Sequence, residues 1–257
     1  MQNKKKTIEI IFHGGLGNQL FQVFYTLCLL EKYKPDQVNL NRNHLASYKP
    51  PREFELDHLD FSSLFQVKTS KIASKLSRLR IPKILNFFIQ KESPLKILNL
   101  IIVDGYFQKK LAYKDLKKEI LLDSLNKLQA SYSDSLINTI YSNEKLHHFR
   151  LGDGAFLMDS EKEYAFFDKY FKDNNVKFCM TDKEVTLKKY LKKNLITDCT
   201  IVNTDNMDAN EIISLMGAFK HIKTNGSTLA LWGALLFGKD LKSEDNISQD
   251  FFNLFKG

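Results

Sequence analysis

The sequence predicts an α/β protein whose carboxyl-terminal half carries a doubly wound, mainly parallel sheet. From about residue 145 onwards, short runs rich in β-branched residues alternate with segments whose apolar residues recur at helical spacing. Near the start of the chain, the run TIEIIF is followed by a glycine-rich turn and a helical pattern. Regular alternation of strand and helix is typical of parallel sheets with helices on both faces.

The composition indicates a globular protein with an anionic partner. The 257 residues are 43% hydrophobic, enough to bury a core, and the formal net charge is +8. Cys28, Cys179 and Cys199 are far apart in the sequence and lie in apolar runs, which indicates neither a disulfide framework nor a metal site. No apolar run has the roughly 18 residues of a membrane-spanning helix, and the basic amino terminus lacks a signal-peptide core. We therefore expect a cytoplasmic protein.

In the amino-terminal half, TIEIIF and DQVNL predict strands, and the helix between them ends at about Tyr33, before Pro35. A loop follows, and then LNLIIVDGYFQ predicts a buried strand. Helical patterns run from about Tyr113 to Tyr141. We place the boundary between two domains near residue 140, which gives a first domain over 1–140 and a second over 141–257.

Lysine and arginine cluster in residues 68–96, where they alternate with Ile, Leu and Phe. This pattern predicts a basic helical insertion in the first domain, interrupted at Pro82. A basic amphipathic helix can lie on an anionic membrane surface. The same pattern also describes the solvated face of an ordinary helix pair.

The carboxyl-terminal half is the more regular one. Strands are predicted at LHHFR, VKFCM, CTIVN and HIKT, and helices at YAFFDKYFKD, KEVTLKKYLKK, ANEIISLMGAF and STLALWGALLF. Open sheets of this kind bind ligands beyond the carboxyl ends of their strands. Polar residues that follow these strands are therefore candidates for a binding site.

The stretch HGGLGNQLFQ, residues 13–22, is the first candidate site. Glycines let the backbone approach a ligand closely, while free N–H groups and the dipole of the following helix favour an anion. A tight turn that needs positive φ explains the glycines equally well, and the stretch matches neither the dinucleotide fingerprint nor the P-loop. The candidate binding residues are Gly14, Gly15, Gly17, Asn18 and Gln19.

Three further stretches carry polar groups after predicted strands. An arginine in HHFRLGDG can clamp phosphate oxygens through charge-assisted hydrogen bonds. A carboxylate in FCMTDKE can accept hydrogen bonds from a guanine edge, and hydroxyls stand at the start of the helix in NGSTLALWGALLFG. The candidate residues are His148, Arg150, Asp153, Asp182, Ser227 and Thr228.

Four stretches occur in the order of a known set of motifs: GGLGNQLFQ, GYFQ at 105–108, HFRLGD at 148–153 and STLALWGA at 227–234. The chain resembles the α-1,2-fucosyltransferases of glycosyltransferase family eleven over nearly its whole length. The resemblance implies a GT-B-type fold of two Rossmann-like domains with the donor site in the cleft. It also implies GDP-fucose as co-substrate, no cofactor, no required metal and inversion at the anomeric carbon. The first domain would then face the acceptor, and the second would bind the nucleotide sugar.

The resemblance assigns roles to individual residues. It implies that His148 meets the guanine nucleotide and Arg150 its diphosphate, while Asp153 orients the arginine and its loop. Asp182 matches the first carboxylate of a motif pair, and Ser227 and Thr228 match a serine pair that adds donors to the phosphates. Leu151 departs from the family, which has a second arginine at this position.

The motif does not identify a general base. Asp159, Glu161 and Glu163 come shortly after it, so that Asp159 and Glu163 join Arg150 and Asp153 as catalytic candidates. Acidic residues in the first turn of a helix more often interact with its dipole.

The activity implied is transfer of fucose to the 2-OH of a galactoside in a surface glycan or its lipid-linked precursor, as in lipopolysaccharide or capsule biosynthesis. Peripheral contact with the cytoplasmic face of the inner membrane fits the basic segment. Two alternatives stay open: a related glycosyltransferase with a different nucleotide sugar, and a non-catalytic basic protein that binds membrane or RNA. Nucleic acid is not expected as a partner, since no RNP-like aromatic pair, KH loop or zinc knuckle occurs.

Overall fold

The computed structural model describes residues 5–49, 51–57, 59, 75–76, 79, 92–132, 144–151, 159–173 and 175–256. The chain divides into two compact units, Met1–Asp134 with Asn253–Gly257, and Ser135–Phe252. The boundary predicted near residue 140 lies outside the described residues, as does most of the predicted basic insertion. Within the described part of the chain, no helix combines the length and the apolar character that crossing a membrane requires.

Among the described residues, the first unit has a sheet in the order β2-β1-β4-β3. β1 (Thr7–Ile11) pairs in parallel with β2 (Gln37–Asn41) and β4 (Leu100–Asp104). The sequence predicts these three strands but not their pairing. β3 (Leu95–Ile97) pairs antiparallel with β4. The predicted helical insertion, which ends at residue 96, is therefore wrong at residues 95–96, where the structure has a strand. The sequence does not indicate this strand, because three residues are too few to show a period.

The first helix of this unit packs on β1, and the second packs on the first. α1 (Leu16–Tyr33) begins at the glycine turn and ends where Lys34 takes a left-handed φ of 43°. α2 (Lys118–Ala130) lies within the predicted helical region. The ring of Phe255 contacts that of Phe24 at 5.6 Å between centroids, so the last residues of the chain belong to the first unit rather than to the predicted second domain.

The described part of the second unit has a fully parallel sheet in the order β7-β6-β5-β8-β9. The order reverses between β5 and β8, which is the topological switch point where doubly wound sheets bind ligands. The predicted doubly wound sheet is confirmed. Its strands are β5 (Lys145–Phe149), β6 (Phe178–Thr181), β7 (Thr200–Ile201), β8 (His221–Thr224) and β9 (Asp240–Ser243).

Helices follow the strands of the second unit. The sequence predicts the first four of them. It misses β9, which has a single apolar residue, Leu241, and the last helix, which has only seven residues. The fully buried Phe149, Leu151 and Phe167 form part of the core between β5 and the helices that cover it. The helices are α3 (Ser160–Asp173), α4 (Glu184–Lys193), α5 (Ala209–Gly217), α6 (Thr228–Leu236) and α7 (Asn246–Phe252).

Candidate functional site

Arg150 and Asn225 meet at the switch point of the second sheet. Arg150 follows β5 and Asn225 follows β8. The Arg150 N–H donates to Asn225 Oδ1 at 2.9 Å, and Asn225 Nδ2 donates to the Arg150 carbonyl at 3.0 Å. This pairing fixes the backbone of Arg150 at the edge where open α/β sheets bind ligands. The sequence analysis did not single out Asn225, although an amide directly after a strand was a usable signal.

Asp182 joins the same edge from the neighbouring strand. It follows β6 by one residue, and its Oδ1 accepts a hydrogen bond from the Leu151 N–H at 2.9 Å. Three predicted site residues, Arg150, Asp182 and His148, thus come from two adjacent strand ends. Leu151 itself is fully buried in the core, so Arg150 has no second cation next to it in the sequence at this edge.

His148 is a neutral group at this edge. Its side chain is 8% exposed, and its Nδ1 is buried with no hydrogen-bond partner among the residues described. Burial lowers the pKa of His148 to about 4, which the nearby Asp182 opposes and Arg150 reinforces. At neutral pH His148 can therefore make hydrogen bonds to a ligand, but it brings no positive charge to a diphosphate.

The start of α6 is organised by two hydroxyls. Thr224 Oγ1 accepts hydrogen bonds from the N–H groups of Gly226 and Ser227 at 3.3 and 3.1 Å. Ser227 Oγ accepts from the Ala230 N–H at 3.4 Å and caps the helix, with its side chain fully buried. The geometry gives Ser227 a structural role, so Thr228 and the first-turn backbone are the groups that can face a phosphate.

The glycine turn of the first unit is held by side-chain amides. Gly14 has a left-handed φ of 69°, and a Cβ on it would lie 2.3 Å from Asn18 Nδ2. Gln19 is fully buried, donates from Nε2 to the carbonyls of Gly14 and Glu53 at 3.0 and 2.8 Å, and accepts from the Glu55 N–H at 3.0 Å. The geometry places Gln19 inside the protein, where it holds the turn.

The two motifs of the first unit also contact each other. Gln108 Nε2 donates to Asn18 Oδ1 at 2.6 Å, and Gln22 Nε2 donates to the Gly105 carbonyl at 2.8 Å. At the start of α1, Gly15 faces an internal carboxylate, since a Cβ on it would lie 3.6 Å from Glu55 Oε2. These internal contacts hold the turn, and Gly14, Gly15 and the helical Gly17 stay candidate binding residues.

The acidic catalytic candidates have partners within the second unit. Asp159 Oδ1 accepts from the Lys162 N–H at 2.9 Å, and that bond is the main cause of its lowered pKa. Asp159 is exposed and caps the start of α3. Glu163 is 2% exposed and pairs with Lys183 Nζ at 3.1 Å. Asp153 lies outside the described residues, and the role of general base stays a prediction for Asp159 and Glu163.

The cysteines are closer in space than their sequence positions indicate. Cys179 Sγ and Cys199 Sγ lie 3.3 Å apart, and both are free thiols, as is Cys28. In the part of the chain that the structure describes, no three His, Cys, Asp or Glu side chains are grouped so that they could hold a metal ion.

Comparisons with known proteins find similarity at the level of structure. No protein-family model matches the chain, and no curated protein does. The crystal structure of the fucosyltransferase NodZ from Bradyrhizobium matches with a TM-score of 0.50 and 12% identity over 91% of this chain and 94% of NodZ. The chain has a GT-B-like fold. The predicted fold class is thus confirmed, whereas a donor site in a cleft between the two units stays a prediction.

Two other solved structures match with lower TM-scores. A crystal structure of NodZ α-1,6-fucosyltransferase, co-crystallised with GDP, matches with a TM-score of 0.47 and 12% identity over 91% of this chain and 93% of the NodZ chain. Arabidopsis thaliana FUT1, a variant in complex with GDP, matches with a TM-score of 0.44 and 12% identity over 96% of this chain and 72% of its own. Similarity at this identity concerns the fold alone.

Proposed function

We propose that this protein is an inverting glycosyltransferase that transfers fucose from GDP-fucose to a hydroxyl of a glycan. The observation that carries the proposal is the pairing of Arg150 with Asn225 at the switch point of a Rossmann-like sheet. Asp182 bonds the next residue, Leu151, from the neighbouring strand, and α6 begins shortly after Asn225. Arg150, Asp182 and the start of α6 are the positions that the motif resemblance assigns to the donor nucleotide. The NodZ structure with the same fold is that of a fucosyltransferase, in keeping with the proposal.

The proposed reaction is a direct displacement. The acceptor oxygen attacks the anomeric carbon, and the bond from that carbon to the diphosphate breaks with its electron pair left on GDP. Arg150 stabilises the charge that grows on the diphosphate, through hydrogen bonds that strengthen in the transition state. The first-turn N–H groups of α6 add a positive helix end. With these cations and dipoles available, we propose that donor binding requires no metal ion and no cofactor.

The finer parts of the proposal come from the motifs. Their order and identity support α-1,2 transfer to the 2-OH of a galactoside, in a surface glycan or lipid-linked precursor of the lipopolysaccharide or capsule type. We place this activity in the cytoplasm, with peripheral contact of the basic segment 68–96 with anionic inner-leaflet lipids. Sedimentation with anionic vesicles tests the contact, and unchanged binding after neutralisation of Lys71, Lys75, Arg78 and Arg80 would exclude it.

Calorimetric titration tests the donor. The protein is titrated with GDP, GDP-fucose, GDP-mannose and UDP-galactose, with and without EDTA, and the titrations are repeated on Arg150→Ala. We expect EDTA-insensitive binding of GDP and GDP-fucose that weakens by about 10- to 100-fold in the variant, as for loss of hydrogen bonds to a charged group. Arg42→Ala, which removes an arginine paired with Asp57 in the first unit, is the matched control and should bind GDP as the wild type does.

A second candidate function is a related glycosyltransferase with a different nucleotide sugar. The burial of Leu151, where the family has a second arginine, favours it, because the donor site then has one cation fewer. Binding of UDP-galactose without binding of GDP would select this alternative. Absence of binding to all four nucleotides would contradict both enzymes.

A further inference from the structure

The first unit contains a cavity whose described wall includes no residue of the sequence motifs. The cavity lies beside the carboxyl-terminal half of α1 and has a volume of about 240 Å³. This volume is roughly eight times that of one water molecule in the liquid, so a small molecule fits. All the wall residues belong to the first unit. We call it the tyrosine cavity, and its wall includes these residues of α1, β3 and the segment before α2: Tyr25, Leu29, Lys32, Tyr33, Lys96 and Asp115.

Three lysine side chains surround the ring of Tyr33. The Nζ atoms of Lys96, Lys6 and Lys32 lie 4.5, 5.5 and 5.8 Å from the ring centroid, within the range of cation–π attraction. Lys6 also donates from Nζ to the Tyr33 carbonyl at 2.8 Å. Lys32 and Lys96, which line the cavity, are exposed and have no ion-pair partner among the residues that the structure describes. The cavity therefore has two ammonium groups without a counter-ion.

The neighbouring part of the sequence is poor in groups that could neutralise these lysines. Residues 61–91, directly before this region, contain no Asp or Glu. Glu92 accepts hydrogen bonds from the backbone of residues 107–109. Asp115 is the one carboxylate among the described wall residues, against two ammonium groups. Because like charges around one ring repel each other, the cavity favours an anion that comes from outside the chain.

The rest of the wall is neutral, and stacking fixes part of it. Tyr25 stacks on Phe107 with 4.2 Å between ring centroids and an angle of 11° between the planes. Burial raises the pKa of Tyr25 above its ordinary value, so its hydroxyl stays protonated and can donate a hydrogen bond. Apolar side chains complete the wall: Leu29, Pro94, Ala112 and Leu116. A ligand with an apolar portion next to its charge therefore suits this cavity.

We propose that the tyrosine cavity binds a phosphate monoester, with the phosphate at Lys32 and Lys96 and the organic part against Tyr25 and Leu29. A phosphate monoester carries close to two negative charges at neutral pH and so matches two ammonium groups. Lysine binds phosphate as a compact point charge. The monoester comes either from a lipid headgroup or from a soluble sugar phosphate. This site does not depend on the proposed function, because none of its residues is a donor candidate.

The test compares three phosphates on the full chain. Inorganic phosphate, glucose 6-phosphate and dihexanoyl phosphatidic acid, the last below the concentration at which it aggregates, are titrated into ¹⁵N-labelled protein and followed by NMR. Glucose, which lacks the phosphate, is the neutral control. We expect both monoesters to bind more tightly than inorganic phosphate, because only they contact the apolar wall, and to shift the amide signals of Tyr33 and Lys96.

A double variant tests the two lysines. Lys32→Gln with Lys96→Gln should weaken binding of both monoesters by about tenfold or more, as for loss of hydrogen bonds to a charged group. Both side chains are exposed, so their replacement leaves the core intact. Lys192→Gln with Lys193→Gln is the matched control. It removes the same charge from the exposed last turn of α4, where Lys193 Nζ lies 5.6 Å from the centroid of a tyrosine ring, and should leave binding unchanged.

Arg150→Ala separates this site from the donor site of the second unit, and it should leave binding of the monoesters unchanged. Tighter binding of the phosphatidic acid would identify a lipid phosphate as the ligand, and tighter binding of the sugar phosphate a soluble one. The inference is overturned if the monoesters bind no more tightly than inorganic phosphate, if the lysine variant binds them as the wild type does, or if Arg150→Ala abolishes binding. Failure of the wild type to bind GDP would contradict the proposed function alone.

Discussion

Asn225 makes two hydrogen bonds to the backbone of one residue, Arg150, across the switch point of the second sheet. The side-chain amide offers one donor and one acceptor, so it matches the donor and acceptor of a peptide unit. The pairing joins the ends of β5 and β8, which are 75 residues apart in the chain. The backbone of Arg150 is therefore held by an amide that the motif resemblance does not include.

Replacement of Asn225 tests this dependence. Asn225→Ala removes both bonds, and we expect the free energy of unfolding to fall by about 1–3 kcal/mol and GDP affinity to fall as well. Asn194→Ala is the control, since Asn194 makes a single bond from an exposed helix end to the Tyr190 carbonyl. Urea denaturation and GDP titration measure the two effects. Equal changes in the two variants would show that Asn225 has no special role.

The sequence predicts long periodic elements well and hydrogen-bond partners poorly. α1 and the strands β5 to β8 of the doubly wound sheet follow from periodicity and from turn residues. β3 has only three residues and β9 only one apolar residue, so neither shows a pattern. The strand-end positions of Arg150 and Asp182 also follow from strand order. The inward amide of Gln19 does not, because its partners Glu53 and Glu55 are 34 and 36 residues away and lie in an irregular loop.

The glycine turn gives a prediction about two adjacent residues. Gly14→Ala combines a left-handed φ of 69° with a Cβ only 2.3 Å from Asn18 Nδ2, so we expect a loss of stability of about 1–3 kcal/mol. Gly15→Ala should cost less, because its φ is −84° and the nearest atom would be 3.6 Å away. Thermal unfolding compares them. A larger loss in Gly15→Ala would contradict a steric role for Gly14.

Burial of His148 predicts acid sensitivity. Desolvation lowers its pKa from 6.5 to about 4, so the unfolded chain binds this proton below about pH 6.5 and the folded protein only below about pH 4. The pKa shift of His148 therefore contributes about 3 kcal/mol to the free energy of unfolding above pH 6.5. This contribution is lost as the pH falls from 6.5 to 4. His148→Asn should flatten the dependence of unfolding free energy on pH in this window. An unchanged dependence in His148→Asn would contradict this assignment.

The Cys179 and Cys199 thiols give a prediction about oxidation. Their sulfur atoms are 3.3 Å apart, and a disulfide bond of about 2.0 Å requires only a small further approach. The hydrogen bond between them lowers the pKa of Cys199 and raises that of Cys179, so the partly exposed Cys199 is the thiolate that attacks first. With oxidised glutathione, Cys199 forms a mixed disulfide and releases one reduced glutathione. Cys179 then displaces the second.

Mass spectrometry of oxidised protein checks this sequence of steps. We expect a product two hydrogens lighter with a peptide link between Cys179 and Cys199, and a gain of about 3 kcal/mol in unfolding free energy from closing a loop of this length. Cys199→Ser should prevent the reaction. Cys28→Ser should not affect it, because Cys28 is buried and desolvation raises its pKa to about 12, which makes it a poor nucleophile. A stable glutathione adduct on Cys199 of the wild type would show that Cys179 cannot reach it, and the separation of 3.3 Å would then not persist in solution.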